Sequence, residues 1–170
     1  MNDVEWYAVT PPCSHEEFLA AVRVYARDLV SSHDLSVQVS DLAWSVSTRA
    51  KRRAGVLRYR DDTPVEVRLA WRLFENRGWP AVASTVRHEL AHAHLVTEHG
   101  DGSHGPRFQR LADRLDTATH CERFTPPTWW VVCTDCDHRL PRYRESRLVR
   151  NPEQYACGRC GGPLTVNAPE

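Results

Sequence analysis

The tightest constraint on how this chain folds is a five-residue segment, His88-Glu89-Leu90-Ala91-His92. Two histidines four apart share one face of a helix, because a turn takes about 3.6 residues. Both imidazoles can then reach one metal ion, and zinc is the usual occupant of such a pair. Glu89 follows the first histidine, where its carboxylate can stand beside a metal-bound water and accept a proton. The flanking residues predict the helix that this chemistry needs. Gly78-Trp79-Pro80 breaks the chain, Pro80 suits a first helical turn and Gly100 suits a stop, giving a helix from about Ala81 to Thr97.

A catalytic zinc takes three protein ligands and keeps one position for water, so a third donor has to come from downstream. A metzincin arrangement would put a glycine at position 95 and a histidine at 98. The chain has Leu95 and Glu98 there, and Met1 is its only methionine, so that arrangement is excluded. A carboxylate from the following helix would have to be Asp113 or Asp116, neither at a familiar spacing. His104 is the better candidate. It lies beyond the polar loop Asp101-Gly102-Ser103, where His104-Gly105-Pro106 opens a further helix. His94 is turned roughly 200° round the helix from His92, and His99 lies about two turns away. Both read as solvated or core histidines.

Ahead of the motif, Ser14-His15-Glu16-Glu17 has the form of a capping box. Phe18, Val22, Tyr25 and Leu29 then repeat at helical spacing, predicting a helix that ends near His33. Leu35, Val37 and Val39 alternate as a strand does, as do Trp44 and Val46. Two short strands fit Gly55–Arg60 and Val65–Leu69 around the turn Asp61-Asp62-Thr63-Pro64. Phe108, Leu111, Ala112 and Leu115 supply the apolar face of the helix after His104. Pro126-Pro127 reads as a stiff linker. The expected fold class is α+β. A minimal zincin-like domain at residues 12–125, a small sheet with three helices and the metal motif on the second, precedes a small β zinc ribbon at 128–166.

The ribbon is read from the cysteines. Of six, four form Cys133-Thr134-Asp135-Cys136 and Cys157-Gly158-Arg159-Cys160. Two C-x2-C pairs at this separation predict a closed, structural zinc site of four thiolates. About forty residues cannot bury a large core, so the metal is expected to supply much of the folding free energy. Gly158, Gly161 and Gly162 give the second knuckle backbone freedom. No redox βαβ context surrounds either pair. Cys13 and Cys121 stand outside any motif and read as ordinary thiols. The N-terminus has no signal pattern and no apolar run approaches the ~18 residues a bilayer requires, so a cytoplasmic protein with reduced thiols is expected.

Net charge is zero, which excludes a global field drawing the chain to nucleic acid. The distribution is uneven, since Arg49 to Arg60 holds six basic residues and no acid. Arg49, Lys51, Arg52 and Arg53 are therefore candidate phosphate contacts. Trp129, Trp130, Arg142, Tyr143 and Arg144 of the ribbon combine aromatics with arginine, as single-stranded nucleic acid favours. A solvated loop and an aromatic packing role are the competing readings of these two groups.

His88-Glu89-Leu90-Ala91-His92-Ala93, followed after a short loop by His104-Gly105-Pro106-Arg107-Phe108, resembles the SprT-like metallopeptidase family, which includes the Spartan proteases. Trp44-Ser45, Ala54–Tyr59 and Val65–Leu69 resemble that family's strands, and the likeness runs from about Ser14 to Leu164. The loop between His92 and His104 is a few residues shorter than in Spartan-type members. The resemblance implies catalytic zinc on His88, His92 and His104 and Glu89 as base, so that with the four-cysteine site two zinc ions are expected. It further implies an endopeptidase acting on proteins bound or crosslinked to DNA and stimulated by DNA. A monomer, a preference for single-stranded DNA and, with DNA binding, association with the nucleoid are expected alongside. Rival expectations are a zinc-ribbon nucleic-acid or transcription-associated factor with little proteolysis, and a general metallopeptidase indifferent to nucleic acid.

Overall fold

A computed structural model of the chain describes residues 7–120 and 124–167. Cys121 lies outside them. The chain divides into two compact units, Met1–Thr125 and Pro126–Glu170. Both are small sheets with helices, giving a mixed α+β protein. Among the described residues, no helix is long and apolar enough to cross a membrane.

In the first unit, α1 (His15–His33) begins with the capping box that the sequence predicts. The Glu17 N–H donates to Ser14 Oγ at 3.1 Å, and the Ser14 N–H donates to Glu17 Oε2 at 2.8 Å. Phe18, Val22, Tyr25, Ala26 and Leu29 form its buried face. Asp34 ends it in the left-handed region at φ 52°. The strand expected across Leu35–Val39 is absent. All three apolar side chains there are buried, but the backbone bonds locally. The Leu35 N–H reaches Val30 O, the Val37 N–H reaches Leu35 O, and the Ser36 N–H donates to His94 Nδ1. Alternation marked burial, and without a partner edge it made no strand; a 3-10 turn at Val39–Asp41 follows instead.

Three strands make the sheet: β1 (Ala43–Ser47), β2 (Gly55–Arg60) and β3 (Thr63–Ala70), in the order β1-β3-β2. Central β3 pairs parallel with β1 and antiparallel with β2. The β2–β3 turn is tighter than the sequence suggests. Asp61 and Asp62 both adopt positive φ (48° and 57°), so a two-residue turn suffices and β3 already starts at Thr63.

From β3 the chain passes directly into α2 (Trp71–His99). Gly78 breaks it at φ 70° and ψ −170°, a conformation suited to glycine, and Pro80 starts its second stretch. The helical turns before Gly78 are an addition to the predicted helix. Phe74, Trp79, Val82, Ala83, Val86 and Leu90 of α2 pack against Phe18 and Val22 of α1 and Val67 and Leu69 of β3 in one core. Phe18 and Phe74 are wholly buried, with ring centroids 4.9 Å apart; such side chains stabilise by about 2–3 kcal/mol each. α3 (Pro106–Arg114) closes the core with Phe108, Leu111 and Ala112.

The second unit has β4 (Trp129–Cys133), β5 (Arg139–Arg142) and β6 (Leu164–Asn167) in the antiparallel order β5-β4-β6, with a short α4 (Arg147–Arg150). Its buried core is Val131, Cys133, Cys157 and Leu164, half of it sulfur-bearing. Gly161 takes φ 79° in the second knuckle. At Gly162 the requirement is different: an added Cβ would meet Asp135 Oδ2 at 2.5 Å and Asp135 Cβ at 2.9 Å. The two knuckles touch there.

Candidate metal centre

The second stretch of α2 carries His88, Glu89 and His92. Gly100 ends the helix in the left-handed region at φ 60°, and the loop that follows returns His104 to the two helical histidines. The three Nε2 atoms form a near-equilateral triangle. His88 to His92 is 3.2 Å, His92 to His104 is 3.0 Å and His88 to His104 is 3.2 Å. Nitrogens bound to one tetrahedral zinc at about 2.1 Å would stand about 3.4 Å apart, so the triangle fits such an ion. Burial, more than neighbouring charge, pulls all three imidazoles below the ordinary histidine range, His92 to about 4. They are therefore neutral at pH 7, with lone pairs to offer. His88 Nδ1 lies 2.9 Å from Ala118 O, a carbonyl that can only accept. The proton thus sits at Nδ1 and the lone pair at Nε2.

Phe108, an apolar-face residue that also closes the His104-Gly105-Pro106-Arg107-Phe108 segment, supports these rings. Its centroid lies 4.9 Å from His88, 4.3 Å from His92 and 4.6 Å from His104, stacked on His92 at 28°. His94 faces elsewhere, accepting from the Ser36 N–H at 3.0 Å. His99 is exposed on the last turn of α2.

Glu89 is 5% exposed. Burial pushes its carboxyl up to about 7, against a hydrogen bond donated by the Leu57 N–H of β2. The approach to β2 is close because residue 55 is glycine. A Cβ there would lie 2.7 Å from Glu89 Oε1 and 2.7 Å from Thr85 Cγ2. No sequence pattern flags Gly55 as part of the site. The same holds for His120, whose ring lies 5.7 Å from that of His104. A cleft of about 560 Å³ is lined by His88, Glu89, His104 and His120, and also by Arg52 and Arg53. Those two arginines, with Arg49 and Lys51, are exposed in the β1–β2 loop, and Arg49 and Lys51 stand outside the cleft lining.

In the second unit the Sγ atoms of Cys133, Cys136, Cys157 and Cys160 all lie within 4.8 Å of one another. Cys133 to Cys160 is 3.4 Å and Cys136 to Cys157 is 3.7 Å. Sulfurs at about 2.3 Å from a tetrahedral zinc stand about 3.8 Å apart, so this set fits an ion too. The Arg159 N–H donates to Cys157 Sγ and the Gly162 N–H to Cys160 Sγ, each at 3.4 Å. Backbone amides, that of Arg159 first, hold the Cys157 thiol down at about 7, while the neighbouring thiols and burial push Cys136 and Cys160 up. Cys13 is a half-buried free thiol packed at the edge of the first unit's core.

The ribbon's expected nucleic-acid residues do not form one surface. Trp129 pairs directly across the sheet with Arg142, and Trp130 with Pro141. Successive strand residues face opposite sides, so Trp129 and Arg142 share one face and Trp130 lies on the other. Tyr143 is half-buried and Arg144 exposed, both beyond the end of β5.

The SprT-like family model matches residues 21–127. The chain is 28% identical over 106 residues to the protein SprT-like of Bacillus thuringiensis subsp. konkukian (strain 97-27), covering 59% of this chain and 67% of that protein. To the protein SprT-like of Streptococcus sanguinis (strain SK36) it is 30% identical over 99 residues, 56% of this chain and 66% of that one. The alignments thus span about two thirds of these relatives. Since the family match covers more than half of the 170 residues, the chain belongs to the SprT-like family.

Proposed function

We propose that the first unit is a zinc-dependent endopeptidase of the H-E-x-x-H type and that the second is a ribbon held by a structural zinc on its four cysteines. The observation that carries the reading is the triangle of three neutral Nε2 atoms beside a buried glutamate. Zinc held by His88, His92 and His104 supplies Lewis acidity, which acidifies a water and polarises a carbonyl. Glu89 does the proton work. Held by the Leu57 N–H, its carboxylate accepts the proton of the attacking water and returns it to the leaving amide nitrogen. Burial raises that carboxyl above the ordinary glutamate range, which strengthens it as a base. An extended peptide fits along β2, an edge strand whose outer side no described strand occupies.

The substrates we infer are proteins bound or crosslinked to DNA, with DNA stimulating cleavage. Arg52 and Arg53 support this, because they line the same cleft as Glu89 while Arg49 and Lys51 extend the positive loop outward. Trp129 with Arg142 adds a stacking and phosphate-binding pair on the ribbon. Free thiols at metal spacing suit a reducing compartment, and we infer the cytoplasm, on the nucleoid.

The test assays the purified protein and its Glu89→Gln variant on a DNA-binding protein, with and without single-stranded DNA. Expected are cleavage stimulated by DNA, a loss of at least about 100-fold in Glu89→Gln, and two zinc ions per chain in both proteins. DNA binding without cleavage would replace the peptidase with a nucleic-acid factor. Cleavage indifferent to DNA would leave a general metallopeptidase.

A further inference from the structure

We propose that His120 is a catalytic residue of the cleft, donating a hydrogen bond from Nε2 to the scissile carbonyl oxygen as negative charge develops there; the assignment rests on the peptidase reading above. The segment after α3 is fastened to α2 at two successive residues. The Thr117 hydroxyl donates to Ser84 O at 2.7 Å, and Ala118 O accepts from His88 Nδ1 at 2.9 Å. Thr119 and His120 follow directly, and both line the cleft that holds His88, Glu89 and His104. The His120 ring is exposed, so no core packing accounts for it. It also stands outside the His88, His92 and His104 set, while its centroid is 5.7 Å from His104 at an interplanar angle of 31°. Thr119 Oγ1 lies 3.1 Å from His120 Nδ1. In the tautomer in which that hydroxyl donates to Nδ1, the ring proton is at Nε2, a nitrogen that no described residue bonds.

The reaction gains from such a donor beside the Lewis acid. Water oxygen adds to the carbonyl carbon and the π pair moves onto the carbonyl oxygen. Glu89 carries one water proton to the amide nitrogen, and the oxygen's pair re-forms the carbonyl as the C–N bond breaks. The second water proton passes to the amine, giving a carboxylate and an ammonium. Glu89 offers the developing oxyanion only repulsion while ionised. A fixed donor aimed at that oxygen lowers the barrier without itself being consumed, and His120 keeps its proton throughout.

The full-length zinc-loaded protein and its His120→Ala and His120→Gln variants test this. The measurements are zinc per chain, the visible spectrum of the cobalt-substituted protein, steady-state kinetics and the affinity for a phosphinic peptide, which mimics the tetrahedral adduct. Expected for His120→Ala are unchanged zinc and cobalt spectra, KM within about twofold, and kcat and phosphinic-peptide affinity each about 100-fold lower. His120→Gln, which keeps a donor, recovers about tenfold. An altered cobalt spectrum would make His120 a ligand and overturn the proposal, as would an unchanged phosphinic-peptide affinity or a fall in Tm that parallels the activity loss. A wild type that binds the phosphinic peptide but hydrolyses nothing defeats the peptidase reading alone, and the affinity of His120→Ala still decides the role of His120.

Discussion

Gly55 and Glu89 make the residue-scale argument, because a missing side chain on β2 decides where a carboxylate can stand. The Gly55→Ala substitution puts a carbon 2.7 Å from Glu89 Oε1 and from Thr85 Cγ2. Both neighbours belong to packed residues of α2, so the helix or the strand must shift. Overpacking of this kind costs about 1–3 kcal/mol. Expected are a Tm lower by several degrees and a kcat at least about tenfold lower with the zinc count unchanged, read by calorimetry, peptide kinetics and metal analysis. An active variant of unaltered Tm would show that β2 gives way easily. At this scale the sequence disclosed the donors and little of their setting. The spacing of His88, Glu89 and His92 follows from helix geometry and could be read directly. Gly55 and the Ala118 carbonyl reach the same place by tertiary routes that leave no local pattern.

Elements in the first sheet are tied together by one carboxylate. Glu66 on β3 accepts from Ser45 Oγ of β1 at 2.6 Å and from Arg68 Nη2 at 2.8 Å, and faces Arg58 Nη1 of β2 at 3.5 Å. The Ser45 hydroxyl first, then Arg68 and Arg58, hold its carboxyl below the ordinary glutamate range. A depressed folded-state pKa contributes stability above the unfolded value, and the contribution is lost as pH falls through the folded value. Glu66→Gln is therefore expected to destabilise by about 1 kcal/mol at pH 7 and to match wild type once pH falls below the folded value. Urea unfolding at several pH values between 7 and 3 checks this, and a pH-independent difference would refute it. Element positions were largely legible: Ser14 with Glu17, Gly55–Arg60, and Pro80 to Gly100 each carry a local signal. Leu35–Val39 misled because alternation reports burial, and strand formation also needs an unpaired neighbour. The turns of α2 from Trp71 to Arg77 carry no local signal, because they are short and follow β3 with no side-chain cap.

For the molecule as a whole, the two units have separate hydrophobic cores and separate donor sets. The ribbon's core is too small to fold on burial alone. Replacing Cys133 and Cys157 together by serine is expected to lower the count from two zinc ions to one and to collapse the amide signals of residues 126–167 towards random-coil values. Signals from 15–115 should keep their dispersion, all in one spectrum of the full chain; loss of dispersion in both sets would mean that the units fold as one. The C-x2-C spacing announced this division in the sequence, whereas the separation of Trp129 from Trp130 on opposite faces required the strand register. The close approach of Gly162 to Asp135 bears on inheritance as well as folding. Residue size at 135 and 162 is a shared quantity, so a β-carbon arriving at 162 is tolerated only if 135 shrinks with it. The two knuckles should therefore covary across relatives, and a chimaera that exchanges one knuckle without the other should jam.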